Sequence, residues 1–286
     1  MALLEAFGGR LSNIDLQKYL FLFTQICQQN KSYEFVPYKY GCFSFQSYAD
    51  RRRLMEIGAL KIADHWELSD DVHFLDTLKA EDKRKIELFR QKYSSLKGND
   101  LILEVYRNYP YYATRSEIAA NILNKTEMHA IDAAKPKSDC NKFYTIGYEG
   151  QAFENYLNRL IQNNVSALID VRKNPLSRKY GFSRKTLSET LSKLGIVYLH
   201  MPELGIVSEK RQMLRGQADY DQLFDDYEKT VLAENEKSIE RLFSLFLQYK
   251  RVAITCFEAE AGRCHRSRVA NALKSLPEWD GEIVHI

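Results

Sequence analysis

Apolar positions follow a helical period through most of the first half of the chain and a strand-then-helix alternation through the second. Asp15 to Gln29 carries Leu16, Tyr19, Leu20, Phe23 and Cys27 at helical spacing. Tyr33 to Tyr40 is aromatic and β-prone, and Gly41 closes it. Ser44 to Gly58 predicts a second helix holding Arg51-Arg52-Arg53, then Leu54 and Ile57, with Gly58 where a C-cap belongs. Ala59 to Ile62 and His65 to Leu68 are short enough for a small hairpin. Ala80 to Leu96 predicts a charged amphipathic helix, and Leu101 to Arg107 continues the pattern until Pro110 stops it. Thr114-Arg115-Ser116-Glu117 reads as a capping box opening a helix to Leu123. Lys125 to Lys142 mixes small, charged and proline residues without periodicity, as a linker does.

In the second half, strands are expected at Phe143–Tyr148, Val165–Arg172, Ile196–His200, Val252–Thr255 and Glu282–Ile286. Helices are expected at Phe153–Gln162, Arg184–Leu194, Tyr220–Leu247 (with a break midway) and Cys264–Leu273. Strands that alternate with helices imply a mainly parallel sheet with right-handed crossovers. The run Ala167-Leu168-Ile169-Asp170-Val171-Arg172 is apolar, as a strand buried on both faces must be, and ends in an acid and a base.

The length of 286 residues fits two domains. The expected division is 1–124, a connector 125–142, and 143–286. A net charge of only +3 carries no argument for a polyanion partner, so any such argument rests on local clustering. One cluster is marked: Arg172, Lys173, Arg178, Lys179, Arg184 and Lys185 lie in a stretch that holds no acid. The cysteines Cys27, Cys42, Cys140, Cys256 and Cys264 are odd in number and do not form a disulfide scaffold. No signal peptide opens the chain, and no apolar run spans a bilayer, so reduced thiols, a cytoplasmic location and no membrane partner are expected.

Polar groups just beyond the strands of an open α/β sheet occupy the crevice where ligands bind. Here they are Tyr148 and Glu149, Asp170 and Arg172, His200 and Glu203, and Cys256 and Glu258. The loop after the last pair leads into Cys264-His265-Arg266-Ser267-Arg268 at a helix start, where free N–H groups beside Arg266 and Arg268 favour an anion. Asp170, Glu203 and Glu258 are the candidates for acid–base work or for holding a divalent ion. His200 or Cys264 supplies a second proton-transfer or nucleophilic group; Cys264 at a helix N-terminus beside Arg266 is a candidate for a lowered pKa, set against the preferred, plainer reading of Cys264 and His265 as packed or hydrogen-bonded helix-start residues. Phosphate or nucleic acid falls to Arg172, Arg178, Lys179, Arg266 and Arg268, with Tyr148 and Glu149 at the rim.

Bland alternatives stand beside each reading. Asp170 and Arg172 share a strand face and can be a structural ion pair. Arg51, Arg52 and Arg53 cannot all face one way on a helix, since neighbours diverge by about 100°. A zinc site from Cys256, Cys264, His265 and His200 is disfavoured and no metal ligand is assigned, because the cysteine spacing is not a standard zinc pair and the adjacent Cys264 and His265 are expected to diverge. A strand-end cysteine followed by a basic loop is similar to rhodanese-like sulfurtransferases, but Glu258 and Glu260 sit in the would-be oxyanion cradle.

The segments YTIGYEG (144–150), LIDVRKNPLSRKYGFS (168–183), GIVYLHMPELG (195–205) and ITCFEAEAGRCHRSRVANAL (254–273) resemble family 488 of the domains of unknown function. The resemblance runs from about Tyr144 to the C-terminus. It implies a compact α/β domain whose polar positions are Glu149, Asp170, Arg172, Pro175, Ser177, Arg178, Phe182, His200, Glu203, Cys264, His265 and Arg266. It implies no reaction. One loop, IVSEKRQML (206–214), matches no family pattern. In the first half, helix, strand, helix and small hairpin is the order of a winged-helix unit. The run FVPYKYGCFSFQSYADRRRLMEIGAL also resembles winged-helix domains of some prokaryotic antitoxin-like and defence-associated proteins.

The expected fold is therefore α/β: a mainly parallel, Rossmann-like sheet flanked by helices, preceded by a winged-helix-like α+β domain. The expected function is an enzyme acting on a nucleotide or nucleic acid, coupled to a module that binds nucleic acid, a partner protein or a second copy of the chain. The alternatives are a non-catalytic nucleotide sensor or defence component, and a thiol-dependent sulfurtransferase or phosphatase.

Overall fold

Ser12 accepts a hydrogen bond from the Asp15 N–H at 3.0 Å, so the first long helix begins two residues before Asp15. In a computed structural model described for residues 1–70, 73–137, 140–207 and 216–286, the chain divides into two units, Met1–Lys135 and Pro136–Ile286. The first unit runs α1 (Ala2–Ala6), β1 (Arg10–Leu11), α2 (Asn13–Cys27), β2 (Val36–Tyr38), β3 (Gly41–Phe43), α3 (Phe45–Glu56) and β4 (Trp66–Glu67). It continues with α4 (Ala80–Tyr93), α5 (Asn99–Asn108), α6 (Pro110–Ala113), α7 (Ala119–Ile122) and α8 (Lys125–Ala134).

β2 and β3 form an antiparallel hairpin turning at Gly41, whose φ of +92° only glycine adopts readily. The next hairpin is held by a Leu60–Leu68 bridge, and its second arm also pairs with β1 through Leu11 and Trp66. Tyr19, Phe21, Phe35, Leu101 and Val105 are fully buried in one core. Cys42 is buried there, and buried Lys18 donates to its carbonyl at 3.0 Å.

Two expectations fail locally. Ser116, not Thr114, caps the turn before α7, accepting from the Ile118 and Ala119 N–H groups. Residues 125–134, read as part of a connector, form helix α8 with a complete Asn124–Glu127 capping box. Its only buried residue is Ile131, so the sequence lacked the apolar stripe that marks a helix.

The second unit runs β5 (Lys142–Gly147), α9 (Phe153–Gln162), β6 (Ala167–Asp170), α10 (Arg184–Lys193), β7 (Val197–His200) and α11 (Gln217–Tyr227). After a π-type turn over 228–232 come α12 (Glu236–Tyr249), β8 (Arg251–Cys256), α13 (His265–Lys274) and β9 (Glu282–His285). Helices α11 and α12 realise the break expected within 220–247. All five strands are parallel, in the order β7-β6-β8-β5-β9. Phe143, Ile169, Val252 and Ile254 pack on one face against Leu242, Phe246 and Val269 of α12 and α13. On the other face Tyr156 of α9 donates to the Thr255 hydroxyl at 2.9 Å.

Beyond β6 the chain moves outward to β7, and beyond β8 it moves past β5 to β9, so neighbouring strands β6 and β8 feed opposite edges. That divergence opens a crevice at their carboxyl ends. The basic loop after β6 is anchored over this edge by fully buried Phe182, which stacks on Tyr148 with ring centroids 4.2 Å apart and packs edge-on to Phe153 and Tyr156. Gly181 makes the turn into this anchor with φ +89°, and a Cβ there would lie 2.3 Å from the Phe153 ring. Gly181→Ala therefore combines backbone strain with a clash against a buried ring. We expect a loss of at least about 2 kcal/mol, measured as a lower urea midpoint at unchanged slope.

Candidate functional site

Arg172 lies at the end of the β6 run and is buried. Its Nε donates to Asp170 Oδ1 at 2.8 Å and its Nη2 to Asp170 Oδ2 at 2.5 Å, a two-pronged fit of fork to carboxylate. Nη1 donates to the Tyr148 hydroxyl at 2.9 Å and to the Phe182 carbonyl at 2.8 Å. Asp170, with no exposed surface, also accepts from the Tyr198 hydroxyl at 2.7 Å and from the Arg172 N–H at 3.1 Å. Burial opposes the guanidinium charge, but the bonds to Asp170 outweigh it and hold Arg172 above its ordinary pKa. The pair is thus a satisfied interior ion pair, and Asp170 stands behind the crevice wall.

A second interior guanidinium shapes the opposite wall. Arg266, which has 1 % exposure, donates to the carbonyls of Glu258 and Ala259, the latter at 2.8 Å, and to the Thr145 hydroxyl at 3.3 Å. Glu149 accepts from the Ala259 N–H at 3.0 Å and fastens the same loop from β5. Gly147 permits this approach, because a Cβ there would lie 1.8 Å from the Glu258 carbonyl oxygen.

Between these walls lies a cleft of about 730 Å³. The basic loop contributes Lys173, Asn174 and Arg178, and α11 contributes Tyr220 and Phe224. The loop after β8 contributes Phe257, Glu258 and Arg263, and Cys256 and His265 lie at the floor. Lys173 and Arg178 are exposed, as is Phe257 at 44 %. Arg263 pairs with Glu260 at 3.2 Å.

Of the residues singled out from sequence, Tyr148, Glu149, Arg172, Ser177, Arg178, Cys256, Glu258 and His265 line this cleft. Asp170, His200, Glu203, Cys264, Lys179, Arg266 and Arg268 do not. His200 is tied to the Arg172 carbonyl at 2.9 Å, and Glu203 accepts from Ser238 at 3.4 Å, away from the cleft. Lys179 donates to the Tyr148 carbonyl at 2.9 Å, and burial lowers its pKa. Arg268 pairs with Glu228 at 3.2 Å and lies over the Phe224 ring. The guanidinium of Arg266 is directed at two carbonyls and a hydroxyl, a structural use, not phosphate binding.

Cys264 corrects a further expectation. It has 1 % exposure, and burial pushes its thiol well above the ordinary value, with hydrogen bonding and charge from Cys256 adding to the rise and Arg266 opposing it only weakly. The helix-start position alone does not make it an activated nucleophile. Cys264 and His265 also do not diverge. Cys264 sits in extended backbone at the cap (φ −135°, ψ 136°), and the turn into α13 brings both side chains toward Cys256.

The groups that sequence reasoning passed over are Tyr220, Phe224 and Phe257 in the walls; Cys256 and His265 were named, but their pairing at the floor was disfavoured. Lys173 was legible within the basic run. The aromatics of α11 were not, because nothing local links them to the β6 or β8 ends. The rest of the loop that matched no family pattern, residues 208–214, lies outside the described residues.

A doubly wound parallel α/β domain with a cleft at its topological switch point is the class that the fold defines. Residues 152–273 match the family described as Domain of unknown function DUF488. The expected resemblance thus holds over three of the four motifs, while 144–150 and β9 lie outside the matched segment. No curated protein and no solved structure matches the chain. Among the described residues no helix is long and apolar enough to cross a membrane.

Breaking the interior fork leaves a charge buried alone. Arg172→Met is expected to cost about 3–5 kcal/mol, and Asp170→Asn to destabilise in the same direction. Equilibrium urea unfolding of both variants measures this, and a stability unchanged from the parent in both would show that the fork does not hold the fold together.

Proposed function

We propose that the second unit is an enzyme domain acting on a nucleotide or nucleic acid held in the β6/β8 cleft. The observation that carries this reading is the composition of the cleft: exposed cations (Lys173, Arg178) and an exposed aromatic ring (Phe257) above a floor of Cys256, His265 and Glu258. Cations suit phosphate and a ring face suits a base, and about 300–1,000 Å³ is the usual size of a small-molecule site. Arg172 and Arg266 act here as positioning residues. Glu258, whose Oε2 lies 3.3 Å from Cys256 Sγ, serves as the proton-transfer group.

The phosphatase or sulfurtransferase reading has less support. An oxyanion cradle needs N–H groups turned toward the cysteine, whereas the Ala259 N–H is taken by Glu149 and a carboxylate stands beside Cys256. For the first unit we propose the winged-helix-like reading, supported by the order helix, hairpin, helix and bridged hairpin in α2 to β4. Within its basic triplet, Arg51 donates to the carbonyls of Ala63 and His65, and Arg53 pairs with Glu56. This makes exposed Arg52 the phosphate-facing candidate.

Binding of duplex DNA, single strands, RNA and mononucleotides across a salt series tests the proposal. For a long strand, Lys173→Ala/Arg178→Ala is expected to weaken affinity and to reduce the salt slope by about 1.4–1.8, two phosphate contacts' worth. Loss only in Arg52→Ala would move strand binding to the first unit. Absence of binding to every probe at low salt would overturn the reading.

A further inference from the structure

We propose that Cys256, Cys264 and His265 form a zinc site whose fourth position opens into the cleft beside Glu258. The inference stands on the geometry of the cluster and does not depend on the nucleotide reading. The two sulphurs and one imidazole nitrogen lie within 4.8 Å of one another. His265 Nδ1 is 3.5 Å from Cys256 Sγ and 3.9 Å from Cys264 Sγ. A tetrahedral zinc with Zn–S about 2.3 Å and Zn–N about 2.0–2.1 Å sets sulphur and nitrogen about 3.6 Å apart. Both sulphur–nitrogen distances, 3.5 and 3.9 Å, lie close to that value.

The tautomer agrees. His265 Nε2 lies 3.2 Å from the Val171 carbonyl oxygen, which can only accept, so Nε2 carries the hydrogen and Nδ1 presents its lone pair to both sulphurs. A ligating histidine held by its other nitrogen on a carbonyl is the usual outer arrangement of a zinc site. A plain thiol–imidazole hydrogen bond accounts for one cysteine, since one lone pair accepts one hydrogen. Cys256 Sγ also donates to Glu258 Oε2 at 3.3 Å, and it is the placement of both sulphurs about Nδ1 at near-zinc distances that points to a metal.

The frame is rigid. Cys256 ends β8 and pairs in register with Gly147, and Cys264 and His265 open α13. Two thiolates and an imidazole select zinc over magnesium or calcium, which take oxygen donors. Cys256, His265 and Glu258 all line the cleft, so the remaining coordination position faces the cleft and not the core. Three protein ligands with one open position is the arrangement of a reactive zinc, not of a closed structural one. Glu258 then stands where it can accept a proton from a zinc-held water.

The test is metal analysis of the full chain, purified without a metal-affinity step, followed by cobalt substitution. We expect stoichiometric zinc. We also expect a cobalt form with the intense visible bands of tetrahedral coordination and a thiolate-to-cobalt charge-transfer band. In Cys264→Ser that band falls to about half, one of two thiolates being lost, while Cys27→Ser in the first unit leaves it unchanged. Because the cluster variants can lose their fold, the parent protein carries the decision. A chain folded by circular dichroism that takes up neither zinc nor cobalt stoichiometrically overturns the site. So does a cobalt spectrum that is the same in folded Cys256→Ser and Cys264→Ser as in the parent. Neither result bears on nucleotide binding, which is read separately.

Discussion

A guanidinium inside a protein must have its donors met, and meeting those of Arg172 organises the ligand-facing end of the sheet. Its fork takes the Asp170 carboxylate, and its remaining donor reaches Tyr148 beyond β5 and the Phe182 carbonyl in the basic loop. The Arg172 carbonyl in turn receives His200 from β7. One residue thus ties three strand ends and the loop between them. Removing such a group from water costs several kcal/mol unless every bond is made, so the surrounding groups have little freedom to drift. Phe182 adds an apolar anchor to the same loop. A segment dense in positive charge, which would otherwise extend into solvent, becomes a fixed wall.

Arg266 repeats the device on the other side of the cleft. It gathers two successive carbonyls of the loop after β8 and turns the Glu258 side chain toward the floor. Both interior arginines spend their donors on the protein, so the cations left for a ligand are the exposed ones, Lys173 and Arg178. This division of labour is a general consequence of burial: a charge satisfied inside shapes a site, and a charge left in water meets what binds there.

The floor follows from the same frame. Strand order sets the end of β8 beside the end of β6, and the turn into α13 returns Cys264 and His265 to that point. A zinc ion held there would link the cleft's reactive chemistry to the two most rigid elements around it, and its open position would meet whatever Lys173, Arg178 and Phe257 hold.

Local patterns alone determined much of this protein. Every strand of the parallel sheet was legible as an apolar run, its helices as periodic segments, and the cleft as the place where polar residues follow those runs. These signals are local because side-chain periodicity and chain stiffness act over a few residues. Helix α8 escaped because its single buried residue, Ile131, leaves no stripe, and the cap at Ser116 because two hydroxyls, two residues apart, compete for one role. Only the tertiary structure decided which polar groups line the cleft. Asp170 and Arg172 have the same spacing whether exposed or paired, and only the tertiary structure buries them as a fork-to-carboxylate pair. Cys256 and Cys264 do not match a zinc spacing in the sequence, yet the β8 end and the α13 start bring their sulphurs to one nitrogen. Burial and convergence depend on strand order and on the packing of distant segments, and no short stretch of sequence records them.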